Sequence, residues 1–253
     1  MWGSLQGGRQ VCSMAAMTIR KTVLITGGSR GIGAATVRLF AARGWQVAFT
    51  WVSHAVPAAE GVSAYRCDVR NEAEVTALFR QVAADFGRID ALVNNAGVTG
   101  PRCRIEDMTA DLLRDVTATN LIGPVLCARE AIRHMAPLGG GSIINLSSTA
   151  TKRGSPDQWV HYAATKGVID VLTIGLAAEV ASQGIRVNAV APGMTLSDPA
   201  NAERITARLE TMRGEIPMNR AGTADEVAEA VFWLCSDAAS YVTGTVLPVA
   251  GGR

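Results

Sequence analysis

Tyr162-Ala163-Ala164-Thr165-Lys166 sets a phenol and an ammonium four residues apart. In a helix that spacing stacks both groups on one face, one turn from each other. The pair suits proton transfer at an oxygen. A carbonyl carbon that takes up hydride leaves an alkoxide, and a phenol with an ordinary pKa of about 10 is a proton donor at neutral pH. The reverse reaction needs a base, and a nearby ammonium favours the phenolate. Taken alone, such a pair usually decorates a helix surface. Its weight depends on its surroundings.

Two further features supply those surroundings. Ser148 closes the apolar run Ile143-Ile144-Asn145-Leu146, where a hydroxyl could hydrogen-bond a reacting oxygen and stabilise developing charge; Ser147 is the competing candidate. Upstream, Val23-Leu24-Ile25 runs into Thr26-Gly27-Gly28-Ser29-Arg30-Gly31-Ile32-Gly33. Glycines let a chain turn tightly and approach a pyrophosphate, which sits at the positive end of the following helix. The candidate cofactor-binding residues here are Gly27, Ser29, Arg30, Gly31, Ile32 and Gly33. Without a ligand the same loop would be a tight strand-to-helix connection.

The elements that position these residues follow from periodicity. Ile32, Ala35, Leu39 and Ala42 are spaced for one helical face, and Gln46 to Trp51 reads as a second strand. Asn71 with Glu74 marks a helix start, with Val75, Leu78, Phe79, Val82 and Phe86 behind it. Ala91–Val93 and Ser142–Leu146 are further strands, and Thr223 with Glu226 forms a capping box ahead of Val227, Val231 and Leu234. Strands separated by helices of this length imply βαβ units. The expected fold class is α/β: a single doubly wound Rossmann fold, its central parallel sheet flanked by helices on both faces, over residues 21–253. Residues 1–20 carry no acidic residue and no continuous apolar stretch. They read as a flexible extension or an early start, with a transit segment as the weaker alternative.

Composition narrows the class. The chain has 253 residues, 48% of them hydrophobic, which is ample for a core. A net charge of +2 without basic runs argues against nucleic acid as a partner, and no apolar stretch is long enough to span a bilayer. The cysteines (Cys12, Cys67, Cys103, Cys127, Cys235) are scattered and the three histidines dispersed, so no metal site is expected. Reduced thiols fit a cytoplasmic protein.

In order along the chain, these motifs resemble the short-chain dehydrogenase/reductase family. T-G-x-x-x-G-x-G at Thr26–Gly33, Asn94-Asn95-Ala96-Gly97, Asn120 in Thr119-Asn120-Leu121-Ile122-Gly123, Ser148, Tyr162 with Lys166, and Pro192-Gly193 all match its pattern. The resemblance implies that Asn95, Ala96 and Gly97 border the cofactor, and that Asp68 beside Val69 contacts the adenine. It implies that Pro192, Gly193 and Thr195 lie by the nicotinamide, and that Lys166, next to Tyr162, also donates to the ribose. It places the second serine, Ser148, in the site and gives Asn120 a helix kink and a proton-relay water; a solvated helix residue is the bland alternative. Catalytic residues are thus expected to be Asn120, Ser148, Tyr162 and Lys166. The Ser148-to-Tyr162 separation is one residue longer than in many members, which is read as a bulge within Lys152–Trp159. A shortened stretch around Pro57 resembles 3-oxoacyl-carrier-protein reductases, whereas Lys152–Pro156 is similar to glucose-dehydrogenase-like members.

Cofactor choice rests on the end of the second strand. A carboxylate there accepts from the ribose 2′-hydroxyl of NAD; this chain has Trp51, and Arg30 could pair with a 2′-phosphate. NADP(H) is favoured over NAD(H). The expected substrate is a small carbonyl compound or secondary alcohol, met in the Arg153–His161 and Met194–Pro217 segments, with Trp159, Met194 and Met218 lining a pocket or packing in the core. A carrier-bound 3-oxoacyl group is the near alternative, and a cofactor sensor without turnover the distant one. The helix after Tyr162 carries apolar residues on nearly every face; the resemblance implies a homotetramer built partly through it, against burial within one chain.

Overall fold

The computed structural model describes residues 20–53, 60–197, 202–211 and 214–253. In chain order these form β1 (Thr22–Ile25), α1 (Gly31–Ala42), β2 (Gln46–Trp51), β3 (Val62–Arg66), α2 (Glu72–Phe86), β4 (Ala91–Asn94), α3 (Ala110–Thr117), α4 (Gly123–Met135), β5 (Gly141–Leu146), α5 (Ala150–Arg153), α6 (Val160–Val180), β6 (Ile185–Pro192), β7 (Thr195–Leu196), α7 (Ala202–Thr211), β8 (Gly222–Thr223), α8 (Ala224–Cys235) and β9 (Val246–Val249). Seven strands pair in the order β3-β2-β1-β4-β5-β6-β9, all parallel; β7 and β8 make a separate short pair. This is a Rossmann-like α/β fold.

Strand side chains alternate between faces, so the continuous apolar runs require cover on both sides. Leu24, Ala48, Leu92, Ile143 and Val187 face one layer, against Val75, Phe79 and Val82 of α2, Cys127 and Ala131 of α4, and Ala177 and Val180 of α6. Val23, Ile25, Val47, Phe49, Val93 and Ile144 face the other, against Val37 and Phe40 of α1 and Val227, Val231 and Leu234 of α8. Both helix-start signals are realised. Asn71 accepts from the backbone N–H of Ala73 and Glu74, and Thr223 and Glu226 form the reciprocal capping box.

One stripe reads differently from its sequence. In α1 the buried residues are Gly33, Ala35, Thr36, Val37 and Phe40, so Ala35 of the expected stripe is buried, whereas Leu39 is half-buried and Ala42 exposed. Leu39 and Ala42 lie with Ala35 over Ala228 of α8, because α1 packs against that helix as well as the sheet. In α6, Val168, Val171 and Ile174 are exposed, Val171 to 71%, so this face is not buried within the chain. The stub expected around Pro57 falls on residues 54–59, and the expected extension on residues 1–19; both lie outside the described residues. No helix among the described residues is long and apolar enough to cross a membrane.

A buried polar ladder crosses this core. Asn94 donates to Asn145 Oδ1 at 3.0 Å and to Pro124 O at 3.1 Å, and Asn145 donates to Thr173 Oγ1 of α6 at 2.9 Å. Asn94 and Asn145 sit opposite each other in the β4–β5 register.

Candidate active site

The crossover from β1 to β4 opens a crevice at the carboxyl ends of the strands, where ligands bind in open α/β sheets. Around it lies a cleft of about 310 Å³ lined by Ile32, Asn95, Gly97, Val98, Thr99, Leu146, Ser147, Ser148, Tyr162, Lys166, Pro192, Gly193, Thr195 and Ser197. Loops after β1, β4, β5 and β6 and the first turns of α6 meet here.

The glycine loop is held by three side chains. Thr26 Oγ1 accepts from the backbone N–H of Asn95 and of Ala96, both at 3.0 Å. The Asn95 amide donates to the carbonyls of Thr26 and Gly27, both at 2.9 Å, and Thr50 Oγ1 accepts from Gly27 N at 3.0 Å. Gly27 has φ +67 and Gly31 φ +58, a region that favours glycine. At Gly33 the reason is contact: a Cβ would lie 2.2 Å from Gly27 O. The loop thus brings its backbone against the first turn of α1, leaving a cradle that side chains would fill. That cradle fits a dinucleotide pyrophosphate at a helix N-terminus.

Tyr162 is half-buried and Lys166 almost fully buried, one turn apart on α6 as their spacing requires. The Lys166 ammonium lies 5.8 Å from the Tyr162 ring centre and donates to Leu146 O at 2.5 Å. Burial lowers the ammonium to about pKa 8, with the Asp170 carboxylate acting against it. Burial also raises the phenol, and the Ser148 hydroxyl opposes that rise. Here the structure corrects the sequence reading: in the protein alone, desolvation outweighs any pull of Lys166 on the phenol.

The two serines separate cleanly. Ser147 donates to Asp170 Oδ1, while Ser148 accepts from Ala150 N at 3.1 Å and lines the cleft together with Tyr162. After α5, within the Lys152–Trp159 segment, Gly154, Ser155 and Asp157 all have positive φ.

Asn120 occupies a π-turn (Ala118–Ile122) between α3 and α4, so the expected kink is present. Its side chain is fully buried, which rules out a solvated helix residue. Its amide clamps Val98, accepting from the N–H at 2.9 Å and donating to the C=O at 2.8 Å, and also donates to Thr165 Oγ1 at 3.1 Å. It therefore stands behind the cleft wall.

Ser29, Arg30, Trp51, Asp68 and Val69 are outside the cleft lining, around the carboxyl ends of β1 to β3. Asp68 is gripped by the Arg70 guanidinium, with Nη2 at 2.6 Å, which holds the carboxyl below its ordinary range. Val69 packs where a Cβ on Gly123 would meet its side chain at 2.7 Å. Thr195 bonds back to Gly193 O at 3.2 Å. Trp159 donates to Gly100 O at 3.3 Å, and Met218 is 59% exposed. Thr50, Thr165 and Asp170 were given no role in the sequence reading, and Thr26 none beyond its place in the glycine motif.

A family model described as "Enoyl-(Acyl carrier protein) reductase" matches residues 27–253. The chain is 44% identical to the uncharacterized oxidoreductase YgfF of Escherichia coli K12, over 91% of this chain and 98% of the relative. The chain belongs to the short-chain dehydrogenase/reductase family. Other members of that family are similar over nearly their whole length. Cis-4-hydroxycyclohexanecarboxylate dehydrogenase of Sinomonas cyclohexanicum is 38% identical, over 92% of this chain and 96% of the relative. The 3-oxoacyl-[acyl-carrier-protein] reductase FabG of Staphylococcus aureus is 38% identical, over 93% and 99%. Among solved short-chain dehydrogenase/reductase structures, ElxO with NADP bound superposes with a TM-score of 0.85 at 31% identity, covering 92% of this chain and 98% of that one. The 3-ketoacyl-(acyl-carrier-protein) reductase of Brucella melitensis, complexed with NADH, has a TM-score of 0.84 at 32% identity and the same coverage. The protein is an oxidoreductase of this family, acting on alcohol or ketone substrates.

Proposed function

We propose that the protein is an NADP(H)-dependent oxidoreductase that interconverts a small ketone and its secondary alcohol. The observation that carries the reading is that Ser148, Tyr162 and Lys166 line one cleft, the Lys166 ammonium 5.8 Å from the Tyr162 ring centre. Two hydroxyls converging on one oxygen suit a carbonyl that becomes an alkoxide.

The nicotinamide, when bound, supplies or accepts hydride. Gly27, Ser29, Arg30, Gly31, Ile32 and Gly33 would hold its pyrophosphate end, and Asn95, Ala96 and Gly97 would border it. Asp68 and Val69 would meet the adenine; Pro192, Gly193 and Thr195 would lie along the nicotinamide. Tyr162 donates the proton to the nascent alkoxide, and its raised pKa keeps the phenol protonated through neutral pH. Ser148 donates to the same oxygen. Lys166 anchors the ribose and places positive charge below the phenol. Asn120 contributes by holding Val98 and Thr165 in place, so its support of a relay is through the wall it fixes. NADP(H) over NAD(H) is favoured by Trp51 where a carboxylate would repel a 2′-phosphate, and by Arg30 at the N-cap of α1.

Similarity to FabG supports a second reading, reduction of a carrier-bound 3-oxoacyl thioester. The exposed Val168, Val171 and Ile174 of α6 suit a homo-oligomer, a tetramer by family resemblance. The test is a titration of the purified protein with NADPH and NADH, followed by absorbance assays on ketones, β-ketoesters, acyl thioesters and sugars. NADPH binding with turnover abolished in Tyr162→Phe is the expected result. Full turnover in Tyr162→Phe, or binding of neither cofactor, would overturn the reading.

A further inference from the structure

Lys166 must hold a positive charge in a place that disfavours one. The residue is 5% exposed, its ammonium donates to the neutral carbonyl of Leu146, and a Cβ on Gly97 would sit 3.6 Å from that ammonium. Around the site lie Leu146 of β5, Ser147 and Ser148 just beyond that strand, the Gly97–Val98 segment, and the Asn120 amide of the π-turn. None of these titrates near neutral pH. On α6 itself the titratable neighbours are Tyr162 above and Asp170 below.

We propose that Asp170 is a positioning residue that keeps Lys166 charged within the site, with Ser147 as the clamp that aims its carboxylate. The assignment rests on the oxidoreductase reading above. Tyr162, Lys166 and Asp170 fall at successive four-residue steps along α6, so they form one row. Ser147 Oγ donates to Asp170 Oδ1, fixing the carboxylate from the strand side. The consecutive serines thereby divide their work: Ser148 lines the cleft with Tyr162, and Ser147 binds the anion. Burial alone pulls the Lys166 ammonium down, and the Asp170 charge is what opposes it. The sign follows directly. Without the carboxylate the ammonium loses its proton at lower pH, and the phenol loses its cationic neighbour where the enzyme works.

Asp170→Asn is the test, because the amide oxygen still accepts from Ser147 while the charge is gone. The chain carries lysines only at 21, 152 and 166. Lysine labelled with 13C at Cε therefore gives three signals in the full-length protein, the Lys166 signal identified by its loss in Lys166→Met. The Lys166 midpoint should fall by at least about one pH unit in Asp170→Asn, a tenfold change in its proton affinity. It should return in Asp170→Glu and fall by less in Ser147→Ala. With NADPH and a ketone that the wild type reduces, kcat/KM of Asp170→Asn should match wild type at pH 6 and lie about fivefold below it at pH 8. An unmoved Lys166 midpoint, or a loss of activity equal at all pH values, would overturn the proposal. Should Asp170→Asn not fold, Ser147→Ala decides by the same titration: an unmoved midpoint rejects the clamp and its anion. Absence of NADPH turnover in the wild type would count against the oxidoreductase reading alone, since the lysine titration needs no substrate.

Discussion

Gly33→Ala adds one methyl group at the tightest point of the glycine loop. Its Cβ would sit 2.2 Å from Gly27 O and 2.6 Å from the Asn95 amide nitrogen, well inside the 3.0 Å below which such contacts are essentially never found. The first obstacle is backbone and cannot rotate away. Relief requires the loop to lift off α1, which breaks the two 2.9 Å bonds from the Asn95 amide. Each is worth about 1 kcal/mol net, and overpacking adds about 1–3 kcal/mol, so about 3–5 kcal/mol is at stake. For a chain of this size that corresponds to a Tm lower by about 6–20 °C. Part of the distortion falls on the ligand cradle, and a share of about 1.4 kcal/mol weakens NADPH by tenfold. Thermal unfolding and NADPH fluorescence titration read the two shares. Gly167→Ala is the matched control: it lies within α6 with nothing within 4 Å of its added Cβ, and it should stabilise by about 0.5–1 kcal/mol. A Gly33→Ala protein with wild-type Tm and wild-type NADPH affinity would refute the steric argument.

Ser148→Ala should lower kcat for ketone reduction by about a hundredfold at every pH, as for loss of one donor to a developing oxyanion; a loss confined to alkaline pH would assign its role to charge on Lys166 instead. Thr223→Ala removes the capping box of α8 and should lower Tm by about 2–4 °C, from about 1 kcal/mol, with kcat unchanged; calorimetry beside initial rates checks both. Burial pushes the Cys67 and Cys235 thiols up to about 12 and raises Cys127 as well, whereas Cys103 is half-exposed. In a Cys12→Ser background, one thiol per chain should react with an aromatic disulfide before unfolding, and peptide mapping should find it at Cys103. Reaction at the other three in folded protein would contradict their burial.

What the sequence made legible is what local rules govern. The glycine loop could be read because a tight turn, a close backbone approach and a following helix each demand a residue type at a fixed offset. The caps at Asn71 and Thr223 were readable for the same reason. β3, β6 and β9 were not recognised as strands, and of these β3 and β9 are the two edges of the sheet. Edge strands are covered less fully, so Val62–Arg66 and Val246–Val249 lack the continuous apolar runs of β1 and β4. The α1 stripe was misassigned because a helix packed on both a sheet and a neighbouring helix has a wider apolar face than one stripe can describe. Asp170 was invisible because its partner Ser147 is 23 residues away, on a different element. Asn95 and Thr26, which join across the crevice from 69 residues apart, were hidden for the same reason.

The ladder of Asn94, Asn145 and Thr173 works as a vernier for the two strands it joins. Sliding β4 by one residue against β5 would move it about 3.3 Å and turn its side chains to the wrong faces. It would also strand buried amide groups, at about 1–3 kcal/mol each. The opposed asparagines therefore fix how far each strand climbs before it stops, and so the height at which Asn95–Gly97 and Ser147–Ser148 leave the sheet. A loop transplanted from this protein to another parallel sheet would need that pair of asparagines beneath it to arrive level with its neighbour.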